Sequence, residues 1–288
     1  MDKSKRRLTW KKQWYRFSRN KMSVAGLVIV TLVIFAAIFS PFITPYPKHA
    51  GAFTDYASAN MAPGGEHLFG TDYIGRDILT RVIFAFRNAL KMAVIVLVIS
   101  VPTGSVLGMI AGIRQGTWID TLIMRITDVF LSVPSMILAL AIASILKPNL
   151  TNAMLAITIS WWPWYCRLAY GTARSISRDN YVRYAELTGG SFVHIVFKEI
   201  LPNCISPILT KMTLDVGWVI MTGASLSYVG LGEQAPVPAL GNMISAGIKY
   251  LPNQWWNTVF PAIGIIVIIL GFNLLGDGIS DLLAVEED

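Results

Sequence analysis

The feature that most constrains this chain is a series of long apolar stretches separated by short polar segments. The first stretch, residues 22–44, contains no charged side chain. A helix of about 20 apolar residues crosses the roughly 30 Å hydrocarbon layer of a membrane. Because such stretches recur, we predict an all-α polytopic membrane protein with six transmembrane helices. The predicted spans cover residues 22–44, 89–113, 122–146, 153–169, 205–229 and 256–275.

The charge content favours a membrane protein over a soluble domain. Only 14% of the residues are charged and 54% are hydrophobic, whereas soluble domains carry about a quarter charged residues. Nine Lys or Arg residues fall within positions 1–21. A basic arm can bind nucleic acid, but directly before an apolar span it more often marks the cytoplasmic side and attracts anionic lipid. We therefore predict cytoplasmic termini, contact with membrane lipid and no nucleic-acid partner.

The apolar pattern also predicts how the chain is divided. Residues 1–21 form a basic cytoplasmic arm and residues 22–44 the first transmembrane helix. Residues 45–88 form an external loop followed by an interfacial helix. Residues 89–288 form a core of five transmembrane helices, interrupted by a cytoplasmic loop over residues 171–203.

The interfacial helix is predicted from apolar residues at helical spacing. Ile74, Ile78, Val82 and Phe86 recur every four residues, with charged residues on the other faces, which is typical of an amphipathic helix at a membrane surface. The four cations within residues 76–91 would lie outside and do not follow the positive-inside bias. An interfacial helix explains them because it is not a short loop between spans.

A glycine stripe in the second predicted span indicates close helix packing. Gly104, Gly108 and Gly112 recur at intervals of four residues. Apolar side chains gain little by leaving lipid for a neighbouring helix, so packing between small residues supplies the attraction. The alternative is that glycine is simply tolerated at these positions.

Charged residues inside predicted spans are candidates for function, because a charge in lipid is costly. Arg125 and Asp128 are one turn apart and are predicted to pair, as a structural pair or as a substrate contact. Lys211 and Asp215 are four residues apart and share a helix face. They are either a structural pair or, with Trp218, part of the lining of a translocation pathway.

The fourth predicted span is rich in aromatic residues. Trp161, Trp162, Trp164 and Tyr165 lie within five consecutive positions. Such a cluster is typical of the interfacial belt of a membrane protein or of helix packing. It could instead line a pathway for a ligand that stacks on aromatic rings.

The polar segment 180–203 between the fourth and fifth spans is predicted to be a helix–turn–helix that docks on a partner. The Gly189–Gly190 pair ends the first helix, and Pro202 ends the second before the fifth span. Ala185 and Gly189 are small residues that allow a partner surface to come close. The predicted apolar face of the second helix consists of Phe192, Ile195 and Val196.

The sequence contains no pattern that predicts catalysis. It has no phosphate-binding loop of the G-x-x-x-x-G-K-[ST] type, and no cysteine–histidine cluster with metal-ligand spacing. Cys166 and Cys204 are predicted to be buried, inert thiols. We predict no catalytic residue, no bound metal and no cofactor on this chain.

Five short motifs in order along the chain resemble one family. An outer signature is similar to HLFGTDYIGRDILTR over residues 67–81, a coupling-loop pattern corresponds to residues 181–203, and later pieces are similar to LSYVGLG and FNLLGDG. The third-span pattern of the family corresponds to Asp120, Met124, Arg125, Asp128 and Pro134. The chain therefore resembles the permease subunits of binding-protein-dependent ABC importers, specifically the C-type subunit of the dipeptide/oligopeptide/nickel group.

The resemblance implies a type I ABC importer permease with a coupling loop that inserts into an ATPase subunit. Arg183 and Tyr184 stand where the family pattern has Glu and Ala. The residues that the resemblance assigns to ATPase coupling are Arg183, Tyr184, Ala185, Glu186, Gly189, Gly190, Ile200, Leu201 and Pro202.

The resemblance also implies partners and a location. A second homologous permease, two ATPase subunits that carry ATP and Mg²⁺, and an extracytoplasmic solute-binding protein would complete the importer. The chain would lie in a bacterial or archaeal cytoplasmic membrane and move a small solute, first among them a di- or oligopeptide, by alternating access. The alternative is a secondary transporter or channel without ATPase partners.

Overall fold

A computed structural model describes residue 15 and residues 17–283, and no β-strand forms within that part of the chain. Most of the predicted basic arm lies outside the described residues. Short 3₁₀ turns occupy Pro47–Ala50, Tyr56–Ser58 and Ile248–Tyr250. The helices are α1 (Lys21–Ile43), α2 (Ile78–Ile113), α3 (Trp118–Leu131), α4 (Ser135–Ile145), α5 (Leu150–Ile176), α6 (Asn180–Leu187), α7 (Phe192–Tyr228), α8 (Leu240–Gly247) and α9 (Trp256–Leu283).

The all-α membrane architecture is confirmed, but length and composition do not reproduce the count of six spans. Among the described residues, α1, α2, α7 and α9 are long and apolar enough to cross a membrane, which makes four spans. Counting α3 and α4 as one broken span gives five. The helix α5, which contains the predicted fourth span, has 27 residues but carries tryptophan, proline and tyrosine at its centre instead of aliphatic residues.

The structure merges the predicted interfacial helix and second span into one helix. The helix α2 has 36 residues and is therefore about 54 Å long. It begins at Asp77, whose side chain accepts a hydrogen bond from the Thr80 amide at 2.7 Å, a typical N-cap. Ile78 and Val82 are buried, so the amphipathic pattern arises because the outer turns of α2 pack against protein.

The third predicted span, residues 122–146, is broken rather than continuous. The helices α3 and α4 meet at an angle of 86°, and Pro134 lies immediately before α4. Proline lacks an amide hydrogen and its ring clashes with the carbonyl group four residues earlier, so it does not continue a helix without a kink. The sequence prediction placed Pro134 inside a continuous helix.

The helices α2 and α5 pack closely against each other through the glycine stripe. A Cβ atom built on Gly108 would lie 2.2 Å from the carbonyl oxygen of Cys166, and one on Gly104 would lie 2.3 Å from that of Trp162. Gly112 faces the next turn of α5 in the same way. The two backbones approach to a distance that leaves no room for a side chain, so α2 and α5 form one packed body.

The loop between α1 and α2 is held on the N-terminal end of α2 by buried polar groups. The His67 Nδ1 atom lies 2.9 Å from an Asp77 carboxylate oxygen, and the Asp77 amide donates to His49 Nδ1 at 2.9 Å. Arg76 Nε donates to Asp72 at 2.7 Å. All five side chains are buried, so these charges and rings stabilise the loop from within the protein.

Candidate functional site

Residues 180–203, here named the coupling element, form a helical hairpin at one end of the long helices. The helix α6 ends at Leu187 and is followed after one residue by Gly189, whose φ of +86° is the left-handed conformation that favours glycine. The Gly189 amide donates to the Glu186 carbonyl at 3.0 Å, and the Gly190 amide donates to the Ala185 carbonyl at 2.9 Å. These bonds satisfy the last carbonyl groups of the helix and turn the chain back toward α7.

The second arm of the hairpin is the first part of α7, which continues through Pro202 without a break. The prediction that Pro202 ends the second helix is therefore wrong. The segment Ile195–Ile200 is a π-helix, in which the Leu201 amide donates to the Val196 carbonyl five residues earlier. Proline cannot donate such a bond, and this wider turn lets α7 pass through Pro202. Single π-helical turns are frequent at functional sites.

The exposed surface of the coupling element differs from the predicted docking surface. Ile195 and Val196, predicted to form an apolar face, are buried within the chain. Phe192 lies under the Arg114 guanidinium at 4.7 Å. The most exposed large apolar side chains of the coupling element are Tyr184, Leu187, Val193 and Phe197, which together are named the exposed apolar face.

The exposed apolar face combines large side chains with high exposure, and Leu187 is 82% exposed. Spacing by itself identified the buried side of the hairpin but not which side faces outward. One signal was present: Tyr184 and Leu187 are three residues apart on α6, on faces that the buried Val182 does not share.

The other coupling residues implied by the resemblance have different degrees of exposure. Ile200 is fully buried and belongs to the core, so it supports the hairpin from within. Arg183, Glu186, Gly189 and Pro202 are exposed, and Ala185, Gly190 and Leu201 are partly buried. The coupling element therefore has an inner side that packs on the chain and an outer side that is free for contact.

Two contacts connect the coupling element region to the C-terminal end of α2. The Arg114–Phe192 contact joins the residue that follows α2 to the start of α7. The Arg178 guanidinium donates to the Gln115 side chain at 3.1 Å, which ties the end of α5 to the same turn. Through these contacts, a displacement of the coupling element would be transmitted to α2 and α5.

A second candidate region is a polar recess beside α7. Lys211, Asp215 and Trp218 all line this open recess of about 480 Å³, so the structure brings the three predicted lining residues together. Polar side chains at membrane depth usually face protein or water and serve function. The remaining lining residues are Leu168, Ser206, Pro207, Thr210, Leu214 and Ser280.

The Asp215 carboxylate accepts hydrogen bonds from three side chains. Lys211 Nζ lies 3.1 Å away, Trp161 Nε1 donates at 3.1 Å and the Tyr165 hydroxyl donates at 2.8 Å. Trp161 and Tyr165 are buried, whereas Trp164 from the same aromatic cluster is exposed. The cluster is therefore divided between interior anchors for Asp215 and a ring on the outside of the helix.

The predicted pair Arg125–Asp128 does not form. Asp128 pairs with Arg167 on α5, and Arg125 is exposed. Residues that are three positions apart on α3 can meet, but the side chain of Arg167 reaches Asp128 from the neighbouring helix. Sequence spacing had no information on that neighbour.

The described residues contain no group of three or more metal-ligating side chains suited to a metal ion. His49 and His67 lie in the outer loop, and His194 lies on the coupling element beside Glu199. Cys166 and Cys204 are buried, as predicted.

Comparison with known proteins identifies the family. The family of the binding-protein-dependent transport system inner membrane component matches residues 104–285. A second family, the N-terminal transmembrane domain of oligopeptide transport permease C, matches residues 9–63. The chain belongs to the binding-protein-dependent transport system inner membrane component family. The predicted resemblance to C-type permeases is confirmed.

Relatives of this permease family match along nearly the whole chain. The dipeptide transport system permease protein DppC of Alkalihalophilus pseudofirmus is 38% identical over 95% of this chain and 89% of its own length. The probable D,D-dipeptide permease protein DdpC of Escherichia coli is 38% identical over 91% and 87%. The oligopeptide permease protein OppC of Bacillus subtilis is 36% identical over 95% and 88%.

One solved structure shares the fold. A chain from the inward-facing MetNI methionine ABC transporter superposes with a TM-score of 0.56 at 18% identity. The match covers 72% of this permease and 97% of the MetNI chain. At that identity the likeness establishes the ABC importer permease fold.

Proposed function

We propose that this permease forms half of the membrane pathway of an ATP-driven importer of di- or oligopeptides. The peptide substrate is supported by the names of the relatives, which match along nearly the whole chain. The single observation that carries the mechanism is the exposed apolar face at the tip of a hairpin built into the long helices. A second, homologous permease would supply the other half of the pathway.

The coupling element has the shape and chemistry of a docking surface. The side chains of its exposed apolar face, which are Tyr184, Leu187, Val193 and Phe197, would be costly to leave in water and suit an apolar groove on a partner. Its inward side chains, including Val182 and Ile200, are fully buried. An ATPase subunit seated on this surface would therefore push against a hairpin that is anchored in the permease.

The energy for transport would come from partner chains. Two ATPase subunits would bind ATP and Mg²⁺, and this chain would bind no cofactor and perform no catalysis. A solute-binding protein would deliver the peptide to the outer surface, which residues 67–81 and 230–255 would shape. The alternative of a secondary transporter would need an accessible carboxylate for ion coupling, and Asp215 is already engaged by three donors.

The packing suggests how movement reaches the outer side. The helix α2 extends from the turn at Arg114, beside the coupling element, to the buried cluster at Asp77. Its glycine stripe binds α5 without intervening side chains. Closure of the ATPases would therefore move α2 and α5 as one body, which is how packed helices change between discrete states.

The test is a pair of matched glycine substitutions. Gly189→Arg places a large cation on the coupling element, where a Cβ atom meets nothing within 4 Å. Gly116→Arg introduces the same side chain in the turn between α2 and α3, where φ is +77° and a Cβ also meets nothing within 4 Å. Both variants carry a similar backbone strain, of about 1–2 kcal/mol, so strain does not distinguish them.

We expect Gly189→Arg to insert in the membrane normally but to abolish peptide-dependent ATP hydrolysis and peptide import, and to release the ATPase subunits on purification. Gly116→Arg should retain them. Equal transport by both variants would contradict docking at this surface. Import that persists after ATP depletion, with the ion gradient maintained, would favour the secondary transporter.

A further inference from the structure

The recess beside α7 has an asymmetric charge. Of the described residues that line it, Lys211 is the only cation and Asp215 the only anion. The Lys211 side chain is 28% exposed, whereas that of Asp215 is 6% exposed. The pair is neutral in total, but the ammonium is the charge that a solute in the recess can reach.

The surroundings of Asp215 determine which charge can bind a solute. Trp161 and Tyr165, neither of which lines the recess, donate to the buried carboxylate from α5 in addition to the Lys211 ammonium. An incoming cation would find this carboxylate already satisfied. An ammonium has three hydrogens to donate, and its contact with Asp215 leaves hydrogens of Lys211 for another acceptor.

Aromatic rings hold the Lys211 side chain at the edge of the recess. Its Nζ atom lies 5.6 Å from the centre of the Trp164 ring and 5.5 Å from that of Tyr165. Contacts of an ammonium with ring faces within about 6 Å are attractive. Lys211 is therefore positioned by Asp215 and two rings before any solute arrives.

We infer that Lys211 binds the terminal carboxylate of the transported peptide as the peptide leaves toward the cytoplasm. The inference rests on the proposed function and names a contact within its pathway. Along α7, Lys211 is about 15 Å from Leu201, near the end of the coupling element, and about 26 Å from Tyr228 at the far end of the helix, so it lies closer to the coupling element than to the opposite end. Asp215 is the positioning residue for this contact.

The rest of the recess suits a short peptide. Its volume of about 480 Å³ is within the range of roughly 300–1,000 Å³ of small-molecule sites. The hydroxyl groups of Ser206, Thr210 and Ser280 can bind peptide amides, and the half-exposed ring of Trp218 offers an apolar surface. This lining, with one accessible cation among hydroxyl groups and an aromatic ring, suits a solute that carries one carboxylate on an otherwise neutral, partly apolar molecule.

The experiment measures how strongly peptide on the cytoplasmic side inhibits further import. The binding protein acts on the opposite side and does not control this inhibition. The intact importer is reconstituted with its cytoplasmic face inward and ATP inside, and it imports radiolabelled Ala-Phe from its binding protein. The lumen is preloaded with unlabelled Ala-Phe or with its C-terminal amide. We expect the free acid to inhibit at a concentration at least tenfold lower than the amide.

Substitutions then assign the effect to one residue. Lys211→Gln should raise the inhibitory concentration of Ala-Phe at least fivefold and leave that of the amide unchanged, whereas Lys211→Arg should keep the wild-type preference. Lys147→Gln, which removes an exposed cation from the loop between α4 and α5, is the matched control and should change neither. The comparison of acid with amide on the wild-type importer stands even if Lys211→Gln fails to assemble.

Equal inhibition by acid and amide, or no inhibition by either, would overturn the assignment of a carboxylate site. Slower import by Lys211→Gln with an unchanged preference would do the same and would make Lys211 structural. If the wild-type importer takes up no Ala-Phe from the binding protein, the proposed function itself fails and this inference fails with it.

Discussion

The substitution Gly108→Ala adds one methyl group at the closest approach of α2 and α5. The added carbon would lie 2.2 Å from the Cys166 carbonyl oxygen, 2.9 Å from the Tyr170 amide nitrogen and 3.0 Å from the Ala169 Cβ atom. Two of these neighbours are backbone atoms of a helix, which cannot rotate away. Because non-bonded heavy atoms pack at about 3.5–4.0 Å, the two helices would have to separate by roughly 1 Å.

The expected loss of stability is the difference between two terms. Overpacking in a close-packed interior costs typically about 1–3 kcal/mol, and a clash with helix backbone belongs at the upper end. Alanine in a helix is favoured over glycine by about 1 kcal/mol. The net loss for Gly108→Ala is therefore about 2 kcal/mol, and Gly108→Leu, with a longer side chain in the same position, should lose more.

The matched control is Gly171→Ala on α5, where a Cβ atom meets nothing within 4 Å. This change has the helix-propensity gain without the clash. Thermal unfolding of both variants in the same detergent should show a Tm lower by about 4 °C for Gly108→Ala, at about 2 °C per kcal/mol for a large chain. The Tm of Gly171→Ala should be unchanged or slightly higher.

The result that would refute this reasoning is equal stability of the two alanine variants. The helices α2 and α5 would then tolerate a methyl group between them, and their contact would not be the tight one that Gly108 indicates. The proposal that α2 and α5 move as one body would lose its physical basis.

Two further predictions concern the buried polar side chains at the start of α2, which are His49, His67, Asp72, Arg76 and Asp77. Asp77→Ala removes the cap of α2 and leaves the Thr80 amide and the His67 ring without their partner, so it should lower stability by about 2–4 kcal/mol; Asp77→Asn, which can still cap, should lose less in the same unfolding assay. Burial, reinforced by the nearby His67, lowers the pKa of His49 below its ordinary value of 6.5, against the opposing effect of Asp77. The unfolded chain therefore takes up a proton at His49 that the folded chain resists, and stability should fall as the pH decreases from 6.5 toward the lower folded pKa. His49→Asn should remove that part of the pH dependence between pH 7.5 and 5.5, and an unchanged dependence would contradict the assignment to His49.

Much of the architecture could be predicted from the sequence because the membrane makes local patterns decisive. Apolar stretches longer than the hydrocarbon layer must be helical, since no water is available for backbone groups. That reasoning predicted the helices that became α1, α7 and α9, and the four-residue spacing of Gly104, Gly108 and Gly112 predicted a close helix contact. The surroundings of the first turns of α2 were harder to predict, because an amphipathic pattern does not say whether its apolar face contacts lipid or protein.

What the sequence by itself determined is the helical membrane class, the order of its segments and the positions of the charges within them. Only the tertiary structure decided which residues meet across helices: Arg167 with Asp128, Trp161 and Tyr165 with Asp215, and which side of the coupling element faces outward. The physical reason is the separation along the chain over which each kind of interaction acts. Helix formation and capping depend on neighbours within a turn or two, whereas the partner of a buried charge depends on the packing of segments tens of residues apart, and no periodicity in the sequence encodes that distance.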